Sequence, residues 1–290
     1  RVSGMVTPRS SLLSESDPTP VVGEPVVEVR ELEVSFGGRR VLRGLDLEVR
    51  RGETLVVLGG SGSGKSTLLN ALTGSVTPSR GTIRVLGSSV AELDLARLDA
   101  HRVKVGFLFQ NGALFQSMSV RENLACVLRE HTALTAEEID ILVKMKLELV
   151  GLRHAVDLMP AELSGGMRKR VALARALVLD PPLMLYDEPG AGLDPVSLAG
   201  VDRIIATLGR ILGMTSIVVT HHIESALRLA DRLVFLHEGT VVASGSPEEF
   251  RTHGDPRLRQ FLDGAAEGPL NDRSGREDYA TSLLGKERLR

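Results

Sequence analysis

The chain has 290 residues, of which 42% are hydrophobic and 25% are charged, as in globular proteins with a substantial core. Its formal net charge of -2 provides no basic field to attract nucleic acid or anionic lipid, so any membrane role must act through a partner. Cys126 is the only cysteine, which excludes an intramolecular disulfide and cysteine-rich metal sites. No apolar run approaches the roughly 20 residues that span a bilayer. These properties predict a cytoplasmic protein that does not bind nucleic acid.

The N-terminal region changes character near residue 26. Residues 1–26 are rich in Ser, Pro, Thr and Glu and lack periodicity, which predicts a flexible tail ahead of a folded domain over residues 27–252. From Val26, VVEVRELEVSF alternates as a strand does, and TIRVLG predicts a second strand. We expect the two to form an antiparallel β piece on either side of the first nucleotide motif.

Four short apolar runs have the character of parallel strands that are covered on both faces. They are TLVVLGG, KVGFLFQ, PLMLYDE and SIVVTHH. Each ends in polar or glycine residues, and ligands of open α/β sheets bind at the carboxyl edge of the strands. LVFLHEGTVVASG predicts a closing hairpin. The sequence therefore predicts an α/β fold with a ligand site at one sheet edge.

Between these strands the sequence predicts an inserted helical subdomain over residues 111–163. Thr135 and Glu138 form a capping box, EEIDILVKMKLELV has helical periodicity, and Gly151 ends the helix. Residues 253–290 are predicted to form a C-terminal extension. From about residue 271 this extension is charged and aperiodic, which predicts a loose end.

The first chemical motif is GGSGSGKST, which lies directly between a predicted strand and the predicted helix LLNALTG. This context is the one that a phosphate-binding loop requires. The glycines let backbone N–H groups surround phosphate oxygens, Lys65 supplies a charge to the β and γ phosphates, and the Ser66 hydroxyl is a magnesium ligand. The predicted nucleotide-binding residues of the loop are Gly59, Gly60, Ser61, Gly62, Ser63, Gly64, Lys65, Ser66 and Thr67.

The second motif is LMLYDEP, an apolar strand that ends in two adjacent carboxylates. Asp187 at a strand end beside a phosphate loop can hold magnesium, usually through water. Glu188 can accept a proton from an attacking water. Alone, such a strand end is a weak signal, but together with the phosphate loop it predicts nucleotide hydrolysis.

The third motif is ELSGGMRKR, in which Ser164, Gly165 and Gly166 precede a strongly helical segment. A hydroxyl and unobstructed N–H groups at a helix N-terminus form a second phosphate-binding feature, about a hundred residues from the first. A nucleotide has a single γ-phosphate, so one chain does not need both features for the nucleotide that it binds. We therefore predict a head-to-tail homodimer in which each subunit closes over the nucleotide held by the other. The basic run 168–170 is predicted to form a solvated helix face with a stem packed beneath it.

These motifs, together with VVTHH, resemble the nucleotide-binding subunit of an ATP-binding-cassette (ABC) transporter, and the resemblance covers about residues 26–264. It implies a P-loop NTPase fold with an antiparallel β subdomain and an inserted helical subdomain. It also implies ATP and Mg²⁺ as cofactors and Glu188 as the base that activates water. The implied partner is a transporter permease, to which the closing and opening of the dimer are transmitted.

The resemblance implies roles for four further residues, each with an ordinary structural alternative. Phe36 matches the aromatic that stacks on adenine, but it is also compatible with a strand-end core residue. Gln110 matches the catalytic glutamine that senses magnesium and water, although a glutamine after a strand is commonly solvated. Asp194 matches the aspartate at the dimer interface and also suits a turn. His221 matches the switch histidine at the γ-phosphate, with His222 as the alternative. The implied metal-binding set is Ser66, Gln110 and Asp187.

Met167 departs from the glutamine that usually follows the two glycines. The form LSGGM resembles the ATPases of Mla and Mce phospholipid-transport systems, as do LFQNGALFQSMSVRENL, LREHTALT and DPRLRQFLDGAAEGPL. This branch implies a permease, an MCE-domain lipid carrier and, in some systems, a STAS-domain protein as partners. It also implies a peripheral location on the cytoplasmic face of the inner membrane. Residues 255–264 suit either a partner or dimer contact, or a C-terminal helix packed on its own domain.

Four other functions share some of these sequence features. An ABC transporter ATPase for another cargo would share the nucleotide-binding motifs, and only Met167 and the other stretches that resemble the Mla and Mce branch separate it from a phospholipid transporter. A soluble ABC protein acting on DNA or ribosomes would resemble two cassettes or a cassette split by a coiled coil, and neither is present in the sequence. A GTPase or small-molecule kinase would leave the Ser164 motif unexplained. A nucleotide-gated adaptor without turnover would not need Glu188 and His221.

Overall fold

The computed structural model describes Gly23 and residues 25–271 of the chain. Most of the predicted N-terminal tail and the predicted loose C-terminal end lie outside these residues. The first sheet is antiparallel and four-stranded, with the order β2-β1-β4-β5. Its strands are β1 Pro25–Phe36, β2 Arg39–Arg50, β4 Arg80–Val85 and β5 Ser88–Ser89. The predicted antiparallel pairing of the first strand with TIRVLG is present as β1 against β4, with Val27 opposite Val85.

The second sheet carries the predicted parallel strands. Its order is β10-β9-β3-β8-β7-β6, and all neighbours except β10 and β9 run parallel. The strands are β3 Thr54–Leu58, β6 Val105–Leu108, β7 Leu183–Asp187, β8 Thr215–Thr220, β9 Arg232–His237 and β10 Thr240–Gly245. The four apolar runs are therefore neighbouring strands, and the predicted α/β fold class is confirmed.

The helices cover this sheet and extend from it. They are α1 Lys65–Leu72, α2 Leu95–Arg102, α3 Val120–His131, α4 Ala136–Leu149, α5 Gly165–Ala176, α6 Pro195–Leu212, α7 Ile223–Leu229, α8 Pro247–Thr252 and α9 Pro256–Asp263. The α3 and α4 helices lie where the sequence predicts the helical insertion. The predicted capping box of Thr135 and Glu138 starts α4, and Gly151 follows its end with a φ of 69°. No helix in the described part of the chain is long and apolar enough to cross a membrane.

Alternation along the central strand explains why the apolar runs are continuous. In β3, Leu55 and Val57 pack into the core beneath the antiparallel sheet, whereas Val56 and Leu58 pack into the core shared with α5 and α6. All four side chains are fully buried. Because both faces of the strand are covered, no position of the strand favours a polar residue, and the polar residues are restricted to its end.

The last described helix packs on its own domain. Leu258 of α9 is fully buried, and the ring of Phe261 lies 5.1 Å from the ring of Phe235 in β9. The buried face agrees with the alternative in which residues 255–264 form a C-terminal helix packed on its own domain. The outer face of α9, including Arg259, is exposed.

Candidate active site

The phosphate loop joins β3 to α1, as its flanking sequence predicts. A Cβ atom added at Gly59 would lie 2.4 Å from the Leu236 carbonyl oxygen, and one added at Gly64 would lie 2.6 Å from Leu42 Cδ2. Gly64 is also the N-cap residue of α1, with a φ of 109°. Both positions therefore require glycine, and the loop presents backbone N–H groups at a helix N-terminus as phosphate binding demands.

Lys65 lies folded within this loop. Its Nζ donates hydrogen bonds to the carbonyl oxygens of Gly59, at 2.8 Å, and Gly60, at 3.0 Å. The same Nζ lies 3.7 Å from Glu188 Oε1, and both side chains are at most 9% exposed. Burial lowers the pKa of Lys65, and the nearby Glu188 and Asp187 carboxylates partly oppose this effect. The loop therefore holds a buried cation against the acids at the end of β7.

Ser66 and Asp187 meet although 121 residues separate them in the chain. The Ser66 hydroxyl donates to Asp187 Oδ1 at 3.1 Å. Burial raises the pKa of Asp187, and the hydrogen bond from Ser66 opposes this shift. A hydroxyl and a carboxylate are oxygen donors that fit Mg²⁺, which takes further ligands from substrate phosphates and water. Within the described residues no cluster of three or more His, Cys, Asp or Glu forms a protein-only metal site.

Glu188 is held from two sides. Its φ is 48°, a left-handed conformation that is unusual for a non-glycine residue, and its N–H donates to the Val219 carbonyl at 3.0 Å. Its Oε2 accepts from the backbone N–H of His221 at 3.3 Å, and its Oε1 lies 3.0 Å from His221 Nδ1. The end of β8 therefore fixes the orientation of the carboxylate at the end of β7.

His221, rather than its neighbour, makes the contact with Glu188. The His221 side chain is 53% exposed, so one edge of the imidazole contacts Glu188 while the ring remains accessible. The ring of His222 lies 4.3 Å from that of His221, and its backbone N–H donates to Thr220 Oγ1. The contact with Glu188 is consistent with His221 as the γ-phosphate residue, and the choice between His221 and His222 stays a prediction.

Gln110 follows β6 and is exposed. Its backbone carbonyl accepts a hydrogen bond from Lys169 Nζ of α5. Lys169 is 7% exposed, and burial lowers its pKa while Glu188 and Asp187 oppose the shift. The prediction of a solvated basic face holds for the exposed Arg168 but is wrong for Lys169. Helical spacing could have indicated that Lys169 is buried, because Lys169 lies three residues before the buried Ala172 and so shares its face of the helix.

The third motif forms the N-terminus of α5. Ser164 is the N-cap residue, and its Oγ accepts from the Met167 N–H at 3.2 Å. Cβ atoms added at Gly165 and Gly166 would only touch Leu193 and Ser197, at 3.5 and 3.4 Å. No hydrogen bond or ion pair in the described part of the chain joins Ser164, Gly165 or Gly166 to the phosphate loop.

Two other predicted residues lie apart from the carboxylates. Asp194 is the N-cap residue of α6, and its Oδ1 accepts from the N–H groups of Val196 and Ser197, both at 3.0 Å. Asp194 therefore lies beside the α5 N-terminus through Ser197, the residue nearest Gly166. Phe36 ends β1 and is 51% exposed, which disagrees with a core role. Thr67 lies in the first turn of α1.

The site combines a phosphate loop, an acid at a strand end that is hydrogen-bonded to the serine of the loop, and a second, buried acid. These features define a P-loop nucleotide hydrolase. The model of the ABC transporter family matches residues 42–191. MlaF, the ATP-binding protein of the Escherichia coli K12 intermembrane phospholipid transport system, is 42% identical over 259 residues, covering 89% of this chain and 96% of MlaF. The chain therefore belongs to the ABC transporter family of ATPases, and within it to the MlaF group.

Other similar proteins carry different names. The probable ribonucleotide transport ATP-binding protein mkl of Mycobacterium leprae is 42% identical over 84% of this chain and 70% of its own length. Among solved structures, the dimeric cassette MJ0796 bound to ADP and Pi is 30% identical, with a TM-score of 0.70, covering 76% of this chain and 98% of that chain. The structure of cbiO1 from Clostridium perfringens, part of the cbiONQ transporter complex, is 31% identical with a TM-score of 0.74, covering 79% of this chain and 91% of that one.

Proposed function

We propose that this chain is the ATP-hydrolysing subunit of an ABC transporter that moves phospholipid between membranes. It acts as a homodimer, peripheral to the cytoplasmic face of the inner membrane, on a separate permease. The observation that carries the hydrolytic part is the meeting of Lys65, Ser66, Asp187, Glu188 and His221 at one sheet edge. The similarity to MlaF over nearly its whole length supports the phospholipid cargo.

Each residue of the cluster has a distinct proposed task in hydrolysis. The loop N–H groups and Lys65 bind the phosphates and offset charge that develops on them. Glu188, oriented by His221, accepts the proton of the attacking water, while His221 contacts the γ-phosphate and steadies that water. Ser66 and Asp187 would hold Mg²⁺, with Gln110 near it, and the ion supplies charge neutralisation at the phosphate oxygens. Phe36 stacks on adenine from the exposed end of β1.

The homodimer is proposed because the site is divided. Ser164, Gly165 and Gly166 offer donors at a helix N-terminus that makes no bond to the phosphate loop of the same chain among the described residues. A two-fold dimer lets each α5 N-terminus cap the other subunit's nucleotide, with Asp194 beside it at the interface. The similarity to MJ0796, which is itself described as dimeric, supports this arrangement.

A groove next to Gln110 suits the permease. A cavity of about 500 Å³ lies between α2, β6, α3 and α5, and its lining includes Phe107, Phe109, Val127 and Arg175. Phe109 is 49% exposed although it is a large apolar side chain. The same groove is lined by Asp99, Arg102, Glu130 and His131, so it offers charged as well as apolar contacts. Such a groove beside the site can transmit closure to a docked segment of a permease. The C-terminal extension, residues 253–290, is proposed as a further partner or dimer contact.

The cargo assignment has one specific competitor. The mkl protein, whose name refers to ribonucleotide transport, shares the same 42% identity as MlaF, so identity alone does not separate the two cargoes. We favour phospholipid because the match to MlaF spans 96% of that protein, against 70% of mkl. An MCE-domain lipid carrier, and in some systems a STAS-domain protein, complete the proposed complex.

The proposal is tested by mild-detergent purification of the tagged chain from its native membranes, with mass spectrometry of co-purifying proteins and lipids. A permease together with an MCE-domain protein and phospholipid is the expected result. A different permease without an MCE-domain protein would contradict the phospholipid cargo and leave the ATPase assignment standing.

A matched pair of variants tests the groove in the same experiment. Phe109→Glu replaces an exposed apolar ring of the groove by a charge and is expected to remove the permease from the purified complex. Ile211→Glu changes an apolar side chain that is 74% exposed on α6, and it is expected to leave the complex intact. Equal recovery of the permease with both variants would overturn the docking site.

A further inference from the structure

The α5 helix contacts two different parts of the proposed machinery. Its N-terminus carries Ser164, Gly165 and Gly166, the donors proposed to cap the nucleotide of the other subunit. Five residues after Ser164, Lys169 of the same helix reaches the carbonyl of Gln110 in its own subunit. One rigid helix therefore links the donors for one nucleotide to the loop that serves the other.

The contact between α5 and the segment after β6 extends along one face of the helix. Arg175 donates to the Gly112 carbonyl at 3.0 Å and to Asn123 Oδ1 at 3.2 Å. A Cβ atom added at Gly112 would lie 3.2 Å from Ala172 Cβ, so the loop backbone lies directly on the helix. Residues 169, 172 and 175 recur every three positions and share this face. The loop is thus held at two carbonyls, with Lys169 at the end nearer the active site.

Lys169 is an unusual residue for a buried position. Its ammonium carries three donors and is 7% exposed, and lysine is almost never buried without a partner. Its hydrogen-bond partner among the described residues is the Gln110 carbonyl, and Asp187 and Glu188 lie near enough to stabilise its charge. An apolar residue of similar length would pack there without the cost of burying a charge. The position is therefore explained better by the contact with Gln110 than by packing.

We propose that Lys169 is a positioning residue for ATP hydrolysis, which fixes Gln110 against the helix whose N-terminus caps the opposite nucleotide. A shift of α5 on closing over one nucleotide then moves Gln110 at the other, and this couples the two composite sites. The inference rests on the proposed function, because it assumes the catalytic role of Gln110.

Replacement of Lys169 by an uncharged, unbranched residue tests the contact directly. Lys169→Met shortens the side chain by one heavy atom and removes its charge and donors. It is expected to lower kcat about 10-fold while KM for ATP changes less than about 3-fold, since misplacement of a catalytic group affects the chemical step. Hydrogen–deuterium exchange of residues 109–116 is expected to quicken. Lys169→Arg, which keeps charge and donors, is expected to restore both properties.

The chain offers a matched control in Lys146 of α4. This lysine is equally buried, at 7% exposure, and pairs with Asp180 away from the active site. Lys146→Met is expected to lower stability while leaving kcat and the exchange of residues 109–116 unchanged. Lys169→Ala covers the case in which the Met variant does not fold. Wild-type kcat and exchange in a folded Lys169→Met or Lys169→Ala variant would overturn the inference.

A double-mutant cycle separates this inference from the proposed function. If Lys169 acts through Gln110, Lys169→Met lowers kcat much less in the Gln110→Ala background than in the wild-type background. A full effect of Lys169→Met in both backgrounds would refute the coupling and leave the role of Gln110 intact. If Gln110→Ala itself leaves kcat unchanged, the assigned role of Gln110 fails, and the inference fails with it.

Discussion

The two halves of the proposed site differ in how much of their environment the chain supplies. Around the phosphate loop, Lys65 and Glu188 are buried, Ser66 bonds to Asp187, and His221 contacts Glu188. At the start of α5, Ser164 is exposed and its hydroxyl bonds only to the helix that it caps, within the described residues. One half is assembled by long-range contacts, whereas the other is a local helix N-terminus.

This difference indicates that the two halves of the site have different roles. The buried half holds charged groups at fixed distances, which preorganises them for charge development in a reaction. The exposed half holds N–H donors and a hydroxyl that gain most from an anion brought by a partner. A nucleotide bound between the two halves of different subunits would make closure of the dimer depend on ATP.

The largest expected effect comes from removing the proposed base. Glu188→Gln keeps the shape of the side chain but cannot accept the proton, so kcat should fall by about 10²- to 10⁴-fold. ATP binding should persist, and the variant should accumulate as an ATP-bound dimer in light-scattering chromatography. Glu224→Gln, an exposed acid three residues after His221, serves as the control and should retain wild-type turnover. Continued turnover by Glu188→Gln would refute its assignment as the base.

Mixing two inactive variants tests whether the site is divided between subunits. Lys65→Ala disables the phosphate loop, and Ser164→Arg blocks the α5 N-terminus, so each variant alone should lose nearly all activity. In a mixed dimer both defects fall on one site and the other site is intact. Random mixing should then restore up to about a quarter of wild-type activity if the sites act independently. Any restored activity requires a site shared between subunits, whereas a mixed dimer that forms but stays inactive would contradict a composite site that turns over independently of its partner.

A smaller effect is expected at the adenine end of the phosphate-loop half. Phe36→Ala removes a stacking surface worth roughly 0.5–1.5 kcal/mol, so KM for ATP should rise about 2- to 10-fold with little change in kcat. Phe36→Trp should restore binding. Phe115→Ala removes another exposed ring, 52% exposed, and should leave KM unchanged. Equal KM values for the Phe36 and Phe115 variants would remove Phe36 from the nucleotide site.

The smallest effect concerns stability outside both halves. Asp255 caps α9, and Arg257 holds the pKa of Asp255 at about 2. Asp255→Ala should lower the free energy of unfolding by about 1 kcal/mol without altering kcat. Because the folded pKa lies below the unfolded value of about 3.9, this difference should be constant above that pH and shrink as the pH falls toward 2.

Urea unfolding at several pH values measures the Asp255 effect. Asp263→Ala, at the other end of α9, provides the matched control and should have a smaller effect on the unfolding midpoint. A loss of ATPase activity in the Asp255 variant would show that the helix contributes to the site and not only to stability.

Sequence patterns predicted most of the fold, because the features that define it are local. Continuous apolar runs identified the parallel strands, and Thr135 with Glu138 identified the start of α4. The β2 strand, Arg39–Arg50, was not predicted, because two consecutive exposed residues, Arg43 and Gly44, break the alternation between Leu42 and Leu45. Its stability comes from pairing with β1 in the folded sheet.

Within the site as well, local sequence predicted the motifs but not the contacts between distant residues. The phosphate loop and the acids of LMLYDEP could be predicted because their chemistry is carried by neighbouring residues. Lys169 was predicted to lie on a solvated face and is buried against Gln110, 59 residues away. A charge run by itself does not show which of its side chains points inward, since that depends on what packs against the helix.

The sequence by itself determined the nucleotide-binding elements, since glycine conformations, helix caps and strand-end acids are set by residues close together in the chain. Only the tertiary structure decided which of these elements meet. It brought Ser66 to Asp187 across 121 residues, set His221 on Glu188, and buried the Lys169 ammonium against Gln110. Such contacts form where the strand ends of one sheet converge, and their distances depend on the order and register of the strands rather than on local sequence.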